Sequence, residues 1–352
     1  MAYTTIDDPS VYFQVATWTG NGGSDRAIVN DGNSAMQPDW VWYKSRSHAT
    51  SHISYDSSRG DGPYLKPSDA GDEGTDAQMF ESFDSDGFSL NGDTDGNGSG
   101  RTYVAWQWKC NGGTTSSLSG NLDSVVQVNA TAGFSIVKYT GSGGNGQSVS
   151  HGLGLTPEVI ITKSRNADQS WHMYHKSIGN TKIIKLDTTA AQATSSDYSA
   201  AAVNSSSFFV STSLIYVGEL GADYVSYCFA PIQGYSKFGS YVGNGNANGP
   251  YVHCGFKPAF VLIKNVDVTQ VWIMYDGKRK SFNQDAAVNS IYASEVSAEY
   301  TGASYHNLDI LSNGFKIRLT DASQNGNGNK HIYMAFAENP FVTSEGSPTT
   351  AR

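Results

Sequence analysis

Charge is scarce in this chain: Asp, Glu, Lys and Arg together make up 16% of its 352 residues. The balance is acidic, at a formal −9, and the longest basic run is Lys278-Arg279-Lys280. A long-range pull on nucleic acid phosphate is therefore excluded as an organising role. Proline is also sparse, with 10 residues, and no apolar run approaches the ~20 residues that span a bilayer. The opening Met1-Ala2-Tyr3-Thr4-Thr5 lacks the basic and apolar regions of a signal peptide. Cysteine occurs three times, at Cys110, Cys228 and Cys254, an odd number at no metal-ligand spacing. Free buried thiols in a protein made in a reducing cytosol fit that count.

What is abundant is glycine, with 38 residues, and aromatics, with 20 Tyr, 15 Phe and 7 Trp. Gly, Ser, Asn and Thr beside aromatics make short strands and tight turns, not helices. The strongest signal is internal repetition. Pro38-Asp39-Trp40-Val41-Trp42-Tyr43-Lys44 recurs as Pro157-Glu158-Val159-Ile160-Ile161-Thr162-Lys163 and as Pro258-Ala259-Phe260-Val261-Leu262-Ile263-Lys264. Eleven residues after each Lys stands a Tyr: Tyr55, Tyr174 and Tyr275. Upstream of each copy an aromatic strand ends in a Gly turn, at Trp18-Thr19-Gly20, Tyr139-Thr140-Gly141 and Tyr241-Val242-Gly243. Downstream come Gly87-Phe88, Ser207-Phe208 and Gly314-Phe315. Each copy closes on a strand: Tyr103-Val104-Ala105-Trp106, Tyr224-Val225-Ser226-Tyr227 and Tyr333-Met334-Ala335-Phe336.

Five landmarks in one order, three times, predict an all-β protein of three tandem β-sandwich modules of jelly-roll or lectin-like type. The boundaries fall at 1–113, 114–232 and 233–342, with a C-terminal tail over 343–352. Each module, at about 110 residues, is large enough to bury its own core. The Pro-to-Lys strands read as central strands buried on both faces. The Lys at their ends reads as a charge reaching solvent. Asn111-Gly112-Gly113-Thr114-Thr115-Ser116-Ser117 reads as a flexible linker. A short helix is allowed only near Ala190–Ala193 or Asp285–Val288.

Val149-Ser150-His151-Gly152-Leu153-Gly154-Leu155-Thr156-Pro157, followed by Trp171 and Tyr174, resembles a module recurrent in virion proteins of tailed bacteriophages, many of them marine. Tyr224-Val225-Ser226-Tyr227-Cys228-Phe229 and Gly234-Tyr235-Ser236-Lys237-Phe238 share the likeness. It is best over roughly residues 130–340, and the first copy departs from it. The resemblance implies a non-enzymatic tail fibre or receptor-binding component, located in the virion and made in the host bacterial cytoplasm. Its implied partners are other virion proteins and a host surface glycan or protein receptor. Neither nucleic acid nor membrane insertion is implied, and a homotrimer fits. A capsid-decoration or head-fibre protein and a polysaccharide-cleaving tailspike are the alternatives.

No catalytic residue repeats in the register, where Asp39, Glu158 and Ala259 share one position. Asp93-Thr94-Asp95-Gly96-Asn97-Gly98 matches the first half of an EF-hand loop, but Val104 stands where the bidentate Glu belongs. Asp93, Asp95 and Asn97 are thus candidate calcium ligands, and no other cofactor is expected. Recognition is expected where copies differ. The third copy is longest between its Tyr and its Gly-Phe, and its Tyr292, Tyr300 and Tyr305 are candidate exposed binding residues.

Overall fold

The computed structural model describes residues 3–144, 146–195, 203–211, 217–279, 289–302 and 306–349. Each sequence copy folds as two antiparallel sheets. In the first copy a six-stranded sheet follows the order Phe13–Thr19, Thr102–Trp108, Trp40–Ser45, Ile53–Asp56, Gly60–Leu65, Gly74–Thr75. A three-stranded sheet of Arg26–Val29, Gly87–Leu90 and Phe80–Asp84 packs on it. The third copy repeats this plan, from Ser236–Val242 through Lys330–Pro340, Phe256–Asn265 and Trp272–Asp276. The second copy does too, with a smaller companion sheet and two additional strands, Ser116–Leu118 and Ser124–Asn129, on its large sheet. The Pro-to-Lys strands are central in all three, as their unbroken apolar runs require. The Gly turns are places of close approach. A Cβ at Gly20, Gly141 or Gly243 would sit about 2 Å from a backbone oxygen, that of Gly98, Glu219 or Gly326. The helix is not where the sequence allowed one. Ala193–Thr194 is a strand, 285–288 lies outside the described residues, and the helical turn is Ala322–Asn325, begun by the Asp321 cap.

The modules are not beads on a string. One face of each large sheet packs on its own companion sheet, forming three private cores. The other faces meet in a fourth core drawn from all three modules. Trp40 lies at its centre, stacked on Trp108 at 4.4 Å and on Tyr227 of the second module at 4.2 Å. Phe336 of the third module packs on Phe13 at 5.2 Å and on Phe229 at 5.7 Å. This is why the Pro-to-Lys strands carry apolar residues toward both faces, as Trp40-Val41-Trp42, Val159-Ile160-Ile161 and Phe260-Val261-Leu262 do.

The modules close into a ring, each touching both others through equivalent positions. Trp171 Nε1 donates to Lys66 O at 2.9 Å, and Trp272 Nε1 donates to Lys185 O at 2.9 Å. The first copy has His52 at that position. Its Nδ1 accepts Trp42 Nε1, which leaves Nε2 to donate to Tyr292 O at 3.1 Å and close the circle. The backbone repeats the pattern: Glu73 N bonds Arg165 O, Gln192 N bonds Val266 O and Glu299 N bonds Arg46 O. The Gly/Ser/Thr linker is pinned into this ring, contrary to its flexible composition. Asp39 accepts the N–H groups of Cys110, Gly112 and Gly113, at 2.6, 3.1 and 3.0 Å. The C-terminal tail is held likewise by Ser344, whose N–H and hydroxyl both bond Asp7.

The register lysines are the clearest departure from expectation. Lys44, Lys163 and Lys264 are buried, not solvent-reaching. Each ammonium is satisfied by backbone carbonyls: Ser45 and His48 for Lys44, Ser164, Ala167 and Ala70 for Lys163, Thr189 and Gln270 for Lys264. Ala70 and Thr189 belong to the neighbouring module. Burial lowers the lysine pKa to about 8 for Lys44 and Lys163 and to about 7 for Lys264.

Two seams carry buried charge. At the first, Arg59 pairs with Asp56 at 2.5 Å and Glu73 at 3.1 Å, Arg165 pairs with Glu73 at 2.8 Å, and Tyr227 donates to Asp56 at 2.7 Å. At the seam between third and first modules, Arg279 pairs with Asp276 and Glu299, Arg46 with Glu299, and Trp106 Nε1 donates to Asp276. We expect Asp276→Ala to cost about 3–5 kcal/mol in chemical unfolding, because it strands Arg279 and Trp106 Nε1 in the interior. A loss below about 1 kcal/mol would show that Arg279 finds water instead.

At the seam between second and third modules the same positions hold His175, Ile178, Gln192 and Val266, all uncharged at neutral pH. His175 Nδ1 accepts Ser177 N, and Nε2 faces Tyr333 O at 3.2 Å. Burial lowers its pKa to about 4. The unfolded chain therefore binds this proton first as pH falls, since free His titrates near ~6.5. Stability should decline from pH ~6.5 toward 4, and His175→Gln should flatten part of that slope in a melting-temperature series. An unchanged slope in the variant would rule His175 out as a contributor.

Candidate functional site

The third module's elongated segment is the place to look for a site, because it is where the copies differ most. Asn289–Tyr292 and Tyr300–Thr301 extend the large sheet at its edge. They bring two of the candidate tyrosines together. Tyr292 and Tyr300 stack with ring centroids 4.6 Å apart and planes at 29°. Tyr305 lies outside the described residues.

The two tyrosines do different work. Tyr300 is 43% exposed and offers an aromatic surface. Tyr292 was expected to be exposed as well, but it is a core residue, 7% exposed, on the apolar side of the sheet. Its hydroxyl lies 3.2 Å from His306 Nδ1. His306 Nε2 in turn lies 3.3 Å from Ser323 Oγ and 3.7 Å from Asp321. Burial lowers the His306 pKa, so the ring is neutral at physiological pH.

Ser323, His306 and Asp321 superficially suggest a nucleophile, a base and an acid. The hydrogen bonds assign other roles. Ser323 gives its hydroxyl proton to Asp321, whose same oxygen accepts Ser323 N as the helix cap. The serine is buried and its proton is directed away from the imidazole. The group therefore acts as a brace that fixes Tyr292 beneath Tyr300. Other acids beside turns are also partnered: Asp309 with Arg318, Asp223 with Thr140 and Asp187 with Trp171 N.

The calcium candidates take part in turn contacts of their own. Asp93 Oδ1 accepts Asp95 N at 2.7 Å, a turn of its own chain. Asp95 is half-buried, and burial followed by the neighbouring Asp93 raises its pKa. Asn97 is buried and fully engaged: Oδ1 accepts Asn21 N, and Nδ2 donates to Asn21 Oδ1 and Gly23 O. Asn325 does the same in the third module, with Asn244 N, Asn246 O and Leu319 O. Asn97 is thus the clamp of a repeated turn. Among the described residues no group of three or more His, Cys, Asp or Glu is placed to hold a metal. Excess EDTA should leave the melting temperature unchanged, whereas Asn97→Ala should cost about 1–3 kcal/mol by leaving buried backbone groups unpaired. A drop with EDTA would restore the loop as a cation site.

Sequence reasoning missed the seam residues. Their signal was present: one and four residues beyond the register Tyr stand Asp56 and Arg59, Asp276 and Arg279, but His175 and Ile178.

The fold and the candidate site together define an all-β ring of three sandwiches with an aromatic surface on one of them. A family profile described as Domain of unknown function (DUF7483) matches residues 8–340, and the chain belongs to that family. Neither a curated protein nor a solved structure matches it. The match spans all three modules. No helix of the described residues is long and apolar enough to cross a membrane.

Proposed function

We propose that the protein is a non-enzymatic structural component of a bacteriophage virion, of the tail-fibre or receptor-binding type, which touches the host surface through the Tyr300 face. The observation that carries this reading is the division of labour within the ring. The register lysines and the seam residues are occupied in closing it, while Tyr300 is exposed in the segment by which one module differs. A rigid scaffold presenting one variable surface suits recognition better than turnover. An exposed Tyr on a braced partner supplies a flat apolar face and a polar tip, which suits a sugar ring or a protein receptor. The sequence resemblance to tailed-phage virion modules supplies the virion context.

One observation favours a second reading, a capsid-decoration protein. Three similar modules around one axis match the threefold positions of an icosahedral shell as readily as the tip of a trimeric fibre. Immunogold labelling of virions separates the two, and label on the head alone would sink the tail assignment. For the Tyr300 face we expect Tyr300→Ala to reduce binding of the purified protein to host cells at least tenfold with no change in melting temperature. Undiminished binding would remove that face from the proposal.

A further inference from the structure

The ring has three equivalent grooves, and among the described residues only two are filled. At each seam the first strand of one large sheet runs beside the turn that follows the register Tyr in the neighbouring module. Between the first two modules the walls are Phe134–Thr140 and the Ser57-Ser58 turn. The strand Ser124–Asn129 lies between them, paired antiparallel from Asn129 opposite Phe134 to Ser124 opposite Tyr139. Its Gln127 Nε2 donates to Ser57 Oγ at 3.0 Å and Ser58 Oγ at 2.9 Å, and Asp39 holds the chain that leads into it. Between the second and third modules the 3-10 turn Lys176–Ile178 packs directly on Ser236–Val242, and Ile178 joins the common core.

Between the third and first modules the same place is a cavity of about 430 Å³, within the ~300–1,000 Å³ range of ligand clefts. Phe13, Gln14 and Val15 line one wall, and Ala259, Gly277 and Lys278 line the other. These are the register counterparts of the filled groove: Ala259 stands where Asp39 does, and Gly277 and Lys278 stand where Ser57 and Ser58 do. Phe13–Thr19 is the terminal strand of its sheet, so among the described residues no strand lies beside its outer edge. An ion pair of 2.7 Å between Lys278 and Asp31, 43% and 70% exposed, joins the two walls.

We propose that this groove takes an extended segment of a partner polypeptide, which pairs with the edge of Phe13–Thr19 as Ser124–Asn129 pairs with Phe134–Thr140. Main-chain bonds supply affinity in such strand addition, and pockets for alternate side chains supply selectivity. Gly277 and Ala259 leave more room than Ser57 and Asp39, so the incoming strand can carry larger side chains than its internal counterpart. Lys278 and Asp31 can exchange their mutual pair for polar groups on it. The inference is independent of the virion reading and holds whatever the partner's origin.

The chain supplies its own probe. A fluorescein-labelled peptide of residues 120–131 is titrated with the full protein and followed by fluorescence anisotropy. Saturable one-to-one binding is expected, weakened at least tenfold by Ala259→Trp, which fills the groove. Lys278→Trp, at an exposed position, serves as a second block should Ala259→Trp lower the melting temperature. A peptide carrying Val125→Pro must fail to bind, because Val125 lies opposite Lys138 with its N–H toward that strand and Pro cannot donate to the ladder. No saturable binding, binding untouched by both blocks, or equal binding of the Pro peptide would each overturn the proposal. The second of these outcomes would mean that the peptide exchanges with the internal strand or adheres elsewhere.

Discussion

Each large sheet must bury both faces, and a module has only one companion sheet to offer. That constraint organises the rest of the structure. The second face of each sheet can be covered only by the other two modules, and three sheets meeting at one axis are the closed solution. The shared core of Trp40, Trp108, Tyr227, Phe229, Phe260 and Phe336 is the consequence. Aromatic pairs contribute about 0.5–1.5 kcal/mol each beyond their area, and this core consists of a connected set of them. The ring and its modules are therefore one cooperative object.

Closing the ring creates an interior where strand ends would otherwise reach water. The buried register lysines follow from this. Each Pro-to-Lys strand ends at a seam, where loop carbonyls of its own module, and in two cases of the neighbour, have no water to bond. A flexible cation with three donors satisfies several at once. The cost of desolvating it is visible in the lowered pKa values, and the carbonyls offset that cost.

The strands, their order of appearance, the three modules and the centrality of the Pro-to-Lys strands were legible in the sequence because strand periodicity and turn residues are local. The ring was not, because nothing local distinguishes a strand face that meets its companion sheet from one that meets another module. Lys44 illustrates the limit: a Lys at a strand end reads as solvated unless one knows that the end is at a seam. Asn97 shows another. The Asp-x-Asp-x-Asn-Gly string is common to cation loops and to hairpin clamps, and the clamping role of Asn97 shows only in its contacts with Asn21 and Gly23. Tyr292 and Tyr300 were legible as a differing segment but not as an inner and an outer ring.

The seams explain how three similar modules keep one order. A ring of identical modules could exchange neighbours with no penalty. Here two seams need an Asp, an Arg and a Glu from one module and a second Arg from the next, while the third needs none of these. The replacements are concerted. Where Asp56 and Asp276 receive a proton from Tyr227 and Trp106, His175 faces the position of Phe336, which has no polar proton to give, and turns to the Tyr333 carbonyl instead. Where Glu73 and Glu299 receive an Arg, Gln192 faces Val266. Placing the third module on the first would set Val266 against Glu73 and leave two carboxylates, Asp56 and Glu73, to share the one charge of Arg59. Placing the first after the second would set Arg46 against Gln192, with no carboxylate to meet it. A stranded buried charge costs several kcal/mol, comparable to a sizeable share of a domain's whole stability. The buried charges thus contribute little net attraction where they are matched and a large penalty where they are not, which specifies order without demanding a stronger core.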